Sequence, residues 1–194
     1  MSPTGRCGRA VSTPSNGIWT KEVSVIGDLE KAGDRWRLRF RRELRHPVGR
    51  VWKALTEPDE LRRWFPDQVH VDEWKVGSKM QFKDANARIE PFEGEVLAYD
   101  PPSVLEFRWG TDVIRFEVAP RGEGCVLTLT DTIDEVGKAA RDGAGWHVCL
   151  DALEAVLAGT KPDGEWSGLH EQYVKKFGPE ASTIGPPEGW SETA

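Results

Sequence analysis

The sequence predicts an α+β domain: a curved antiparallel sheet of about six to seven strands wrapped around one long C-terminal helix, with two short helices after the first strand. Three observations carry this. Residues 35–44 alternate apolar and polar with period two. Residues 68–131 repeat that pattern with only short turn segments between the runs, and such short connections imply antiparallel neighbours rather than crossovers. Residues 134–158 then change to helical spacing.

The elements follow in order. In RWRLRFRREL, Trp36, Leu38, Phe40 and Leu44 point one way and Arg37, Arg39, Arg41 and Glu43 the other, a half-buried strand. The arginine stripe reads as a solvated outer face, with an anion or nucleic-acid patch as the alternative. Pro47 suits the first turn of a helix, and Val48, Val51, Trp52 and Leu55 form its apolar stripe. Pro58 opens a second short helix with Asp59 and Glu60 in its first turn and Leu61, Trp64 and Phe65 as apolar residues; Pro66 ends it. Strands are predicted at 69–74, 79–84, 91–99, 103–109, 112–119 and 124–131, separated by turn signals such as Asp100-Pro101-Pro102 and Pro120-Arg121-Gly122. Asp134 is placed to cap the long helix, and Gly159 follows its last turn. Residues 165–177 suit a closing helix. The domain is read as 21–178, with flexible tails at 1–20 and 179–194.

The long helix is uneven. Trp146, Cys149, Leu150, Leu153, Val156 and Leu157 form a stripe for the sheet, whereas Gly137, Ala139, Ala140, Gly143, Ala144 and Gly145 offer little bulk. Each interior glycine costs about 1 kcal/mol against alanine. One helix so depleted does not fill a wrapped sheet, so a cavity is expected there, lined by Trp64, Phe82, Phe92, Trp109, Phe116, Ala140, Gly143, Ala144 and His147. The alternative is a dry core filled by the large aromatics.

Composition sets bounds. The chain has 194 residues, 38% apolar and 30% charged, with net charge −6. No run reaches the roughly 18 apolar residues of a membrane span. The acidic balance argues against general nucleic-acid binding. Cys7, Cys125 and Cys149 have neither disulfide-framework nor zinc spacing, and the N-terminus lacks the apolar stretch of a secretory signal, so a cytoplasmic protein is expected. Nine tryptophans against two tyrosines are unusual. Trp36, Trp52 and Trp146 read as core; Trp64 and Trp109 read as ligand contacts.

Three segments, HPVGRVWKALTEPDELRRWFP, GEVLAYDPPSVLEFRW and GWHVCLDALEAVLAG, in this order and spacing, resemble the helix-grip (START-related, birch-pollen-allergen-like) superfamily, and within it the bacterial branch related to the C-terminal domain of the heat-shock-protein-90 ATPase activator. The resemblance spans roughly 34–178. It implies a deep hydrophobic cavity for apolar small molecules and no shared catalytic set.

The expected function is therefore carriage or sensing of an apolar or aromatic small molecule, without cofactor or metal. A cyclase or aromatase with His147 as general base is the first alternative, since a histidine beside the cavity titrates near neutrality. A co-chaperone stimulating the heat-shock ATPase is the second. His70 with Asp72 reads as solvated rather than metal-binding, and Asp84, Arg88 and Glu90 as an exposed loop. An exposed sheet edge would permit a homodimer.

Overall fold

The computed structural model describes residues 26–84, 89–161 and 166–185. Arg88, Cys7, Trp19, Trp190 and the expected tails at 1–20 and beyond 185 lie outside these. The strands are β1 (Asp28–Ala32), β2 (Arg35–Leu44), β3 (Asp67–Val71), β4 (Lys79–Asp84), β5 (Phe92–Asp100), β6 (Val104–Trp109), β7 (Asp112–Arg121) and β8 (Gly124–Ile133). The helices are α1 (Val48–Thr56), α2 (Pro58–Leu61), α3 (Ala139–Ala158) and α4 (Trp166–Phe177).

All eight strands form one antiparallel sheet in the order β1-β2-β8-β7-β6-β5-β4-β3. The predicted alternation decides its inner face. Leu38 and Phe40 of β2, Met80 and Phe82 of β4, Leu105 and Phe107 of β6, Ile114, Phe116 and Val118 of β7, and Cys125, Leu127 and Leu129 of β8 are all buried. Trp146, Leu150, Leu153 and Leu157 of α3 join them in one core. The helix ends at Gly159, whose φ of +70° is the left-handed conformation a C-terminal glycine adopts without Cβ strain.

The structure corrects several local expectations. β1 was not predicted: it is a mostly exposed edge strand, DLEKA, turned onto β2 at Gly33, and an exposed edge strand carries no apolar alternation. β3 ends at Val71 rather than 74, and Trp74 leaves the sheet to donate its indole N–H to the Thr56 carbonyl at 2.9 Å. Asp134 does not cap α3. The helix is preceded by a 3-10 turn, Val136–Lys138, and Asp134 instead pairs with the Lys138 ammonium at 2.7 Å. Past residue 178 the chain stays on the domain: Pro179–Ser182 is a 3-10 turn, Ala181 is buried, and Ile184 N–H donates to the Gly137 carbonyl at 3.0 Å. Asp84, read as part of an exposed loop, is the buried last residue of β4.

Candidate functional site

The aromatic residues of the inner face form a continuous cluster between the sheet and α3. Trp64 meets Phe65 and Phe116 edge-on, with ring centroids 5.6 and 5.9 Å apart. Phe82 stacks on Phe92 at 5.2 Å and on Phe107 at 5.8 Å. Phe65 sits centrally, 5.8–6.3 Å from Phe82, Phe107, Trp109 and Trp146. The sheet-side residues expected at a ligand site, Trp64, Phe82, Phe92, Trp109 and Phe116, are thus brought together. They are joined by Phe65, Phe107 and Trp146, which were read as packed apolar residues and not as ligand contacts. Separations of this size are those of favourable aromatic pairs, so the rings fill the space by packing on one another. Trp64 is also tied to α1, its indole N–H donating to the Ala54 carbonyl at 2.8 Å.

The helix-side residues expected at the same site, Ala140, Gly143, Ala144 and His147, recur at helical spacing on another flank of α3. Gly143 and His147 meet α4. A Cβ at Gly143 would lie 2.8 Å from the Tyr173 ring, and one at Gly137 would collide with Thr183, so these glycines admit α4 and the C-terminal segment. His147, 2% exposed, has Nδ1 3.0 Å from the Tyr173 hydroxyl. That hydroxyl already accepts the Gly27 N–H at 2.9 Å. When the hydroxyl gives its own proton to Nδ1, the imidazole proton is on Nε2, which faces Asp151 Oδ2 at 3.7 Å. Burial lowers the His147 pKa, against Asp151, which raises it, and together with Arg42, which lowers it. Burial pushes the Tyr173 hydroxyl up to about 12.

Two charged groups in the inner phase of the strands were missed. Arg42 of β2 is buried and reaches α3, where its guanidinium lies 3.4 Å from Asp151 and 3.1 Å from Glu154. At the other end of α3, Asp112 of β7 and Asp131 of β8 converge with Asp142 of the helix, one carboxylate oxygen from each lying within 4.8 Å of the others. The available signal was a charge in the apolar register: Asp112 precedes Ile114, Phe116 and Val118, and Asp131 follows Cys125, Leu127 and Leu129.

This acidic cluster touches the rings. Asp131, 0% exposed, accepts the Trp146 indole N–H on Oδ2 at 2.8 Å, and Trp146 packs on Trp109 at 5.6 Å. Trp109 in turn donates to Asp67 Oδ2 at 2.7 Å. Lys138 binds both oxygens of Asp112, at 2.8 and 2.9 Å. Burial raises the Asp112 pKa despite that ammonium, and raises Asp142. Burial, with the charges of Asp112 and Asp142, holds Asp131 well above the carboxylate range against the Trp146 bond. Asp134, at the exposed end of Lys138, is lowered to about 2, chiefly by that hydrogen bond.

Two surface concavities stand out, and the larger reaches the ring cluster at Phe82 and Phe92. One of about 480 Å³ spans β3–β5, with Gln68, His70, Gln81, Lys83 and Phe92 on its wall. One of about 260 Å³ lies over the arginine stripe, where Arg37, Arg39 and Arg115 mingle with Glu30, Glu106 and Glu117. His70 pairs with Asp72 in solvent at 3.3 Å.

With this architecture in view, comparison with known proteins is decisive for kinship. The profile described as Activator of Hsp90 ATPase homolog 1-like protein matches residues 45–158, from the entry to α1 through the end of α3. The chain belongs to that family. Its fold is shared with the conserved protein of unknown function EF2215 from Enterococcus faecalis (19% identity, TM-score 0.68, covering 77% of this chain and 89% of that one). It is shared also with CalU16 from Micromonospora echinospora (18%, 0.60, 78% and 92%) and the BPP1335 gene product of Bordetella parapertussis (26%, 0.58, 79% and 91%). No curated protein sequence matches the chain. The eight-stranded sheet and long C-terminal helix are the helix-grip architecture. No helix among the described residues is long and apolar enough to cross a membrane.

Proposed function

We propose that this family member binds a planar aromatic or otherwise apolar small molecule between the sheet and α3, as a carrier or sensor. The observation that supports it is the ring cluster itself. Trp109 and Phe92, both partly exposed, flank the buried Phe65 and Phe82. A flat ligand entering past Trp109 exchanges ring–ring contacts for ring–ligand contacts of the same kind. Few rotors are immobilised on either side, because each aromatic side chain has only two. The indole N–H groups of Trp109 and Trp146 stay paired to Asp67 and Asp131, which keeps both rings oriented. Binding without turnover fits the position of His147. Its imidazole is engaged by Tyr173 on the α4 flank, and a general base must reach the proton it removes.

The test is titration of flavonoids, polyketide-like aromatics and fatty acids into the purified protein, read by tryptophan emission and melting temperature. A binder raises the melting temperature in proportion to ln(1 + [L]/Kd), and Trp109→Ala abolishes the emission change. If no class perturbs either readout, the reading fails.

A further inference from the structure

We propose that Asp112, Asp131 and Asp142 form a site for one hard divalent cation of calcium size. The site lies where β7, β8 and the first turn of α3 converge, and the ligand-binding reading above does not require it.

Two buried oxygens point to it. Asp131 uses Oδ2 for the Trp146 N–H, but among the described residues its Oδ1 has no hydrogen-bond partner. Asp142 uses Oδ1 for the Arg141 guanidinium at 2.7 Å, and its Oδ2 is also buried without a partner. A buried acceptor left unmade costs about 1–3 kcal/mol, more when charged. Both residues belong to the one convergent group, so a cation held there lies against both carboxylates. Lys138 does not exhaust Asp112, because each carboxylate oxygen retains a second lone pair.

Charge and size select the occupant. The four most buried groups are three carboxylates and one ammonium; with Asp134, Arg35 and Arg141 counted, four carboxylates face three cations, a net deficit of one positive charge. Around them Arg35, Arg141 and Asp134 have side chains 25–38% exposed, where solvent screens them. The donors are all oxygen, which favours hard cations over zinc or copper. Three oxygens within 4.8 Å of one another hold a central ion at no more than about 2.8 Å from each, a span that admits calcium–oxygen bonds of roughly 2.3–2.6 Å. Magnesium demands about 2.0–2.1 Å and a stricter octahedron. The side chains of Lys138 and Asp142 keep 11–12% of their surface in solvent and mark the entry route.

The indole of Trp146, bonded to Asp131, supplies a reporter. Chelator-treated full-length protein is titrated with terbium, a calcium-sized ion, under indole excitation, and calcium is then added to displace it. Saturable sensitised emission at one ion per chain is expected, reversed by calcium, and millimolar calcium alone raises the melting temperature. Asp131→Asn preserves an acceptor for Trp146, and Asp142→Asn lies at the partly open mouth, so each retains a cooperative melt. Each weakens terbium binding by at least about tenfold, the smallest loss typical even of outer-shell partners. Three results overturn the site: neither emission nor a melting shift appears; the emission survives both substitutions; or an infrared band of a protonated Asp131 carboxyl, identified by its loss in Asp131→Asn, persists at saturating calcium.

Discussion

Two glycines of α3, two residues apart, respond oppositely to alanine. In a helix interior, glycine-to-alanine is intrinsically worth about 0.8–1 kcal/mol. At Gly145 a Cβ meets nothing within 4 Å, so Gly145→Ala gains that amount. At Gly143 the Cβ falls 2.8, 3.0 and 3.2 Å from three atoms of the Tyr173 ring. The ring is not free to yield, because its hydroxyl is held by Gly27 N–H and by His147. Overpacking of this kind costs about 1–3 kcal/mol, and displacing the hydroxyl from a buried N–H adds about 1–3 kcal/mol. After the helix gain is subtracted, Gly143→Ala is expected to lose about 1–5 kcal/mol, some 2–6 kcal/mol below Gly145→Ala. Urea unfolding of both variants measures this directly, with unchanged m-values licensing the comparison. A double-mutant cycle with Tyr173→Ala assigns the cause, since the penalty at 143 vanishes once the ring is gone. If Gly143→Ala is as stable as Gly145→Ala, the seating of α4 on α3 described above is wrong.

Asp131→Asn in chelator-treated protein should raise stability at neutral pH by about 1–3 kcal/mol, by removing an acid that ionises in the unfolded chain and that burial keeps from ionising in the folded one. The folded pKa of Asp131 lies above its unfolded value, so its favourable contribution is complete below about pH 4 and is lost as pH rises through the folded pKa. Melting curves of variant and wild type therefore converge in acid, and a variant less stable at neutral pH contradicts the account. His147 has the opposite sign. Its lowered pKa gives stability that is present above about pH 6.5 and lost as pH falls through the folded value, and a histidine NMR titration with a midpoint above 6.5 would refute this. Tyr173→Phe strands the Gly27 N–H and should cost about 1–3 kcal/mol in thermal melts. Burial first, then the Asp67 charge, pushes the Cys149 thiol up to about 12, and burial raises Cys125. In a Cys7→Ser variant, neither should react with a disulfide reagent until denaturant is added.

The alternation of residues 35–44, 112–119 and 124–131 set the strands and their inner face by sequence alone, because period and turn chemistry are local properties. Pro47, Pro58 and Gly159 marked helix ends for the same reason. The sheet-side aromatics could be placed together from strand phase, as Phe82, Phe107 and Phe116 show. The glycines of α3 carried no such message. Their deficit of bulk was read as an expected cavity, with a core filled by the aromatics as the alternative; the docking of Tyr173 on Gly143, 30 residues away in the chain, is a tertiary contact that local spacing does not announce. The acidic cluster was half visible. Asp112 and Asp131 stood in apolar register, which signals burial of a charge, but register says nothing of partners across the fold. Tertiary structure brought Lys138 and Trp146 to them from the helix, and with them the electrostatics of the interior.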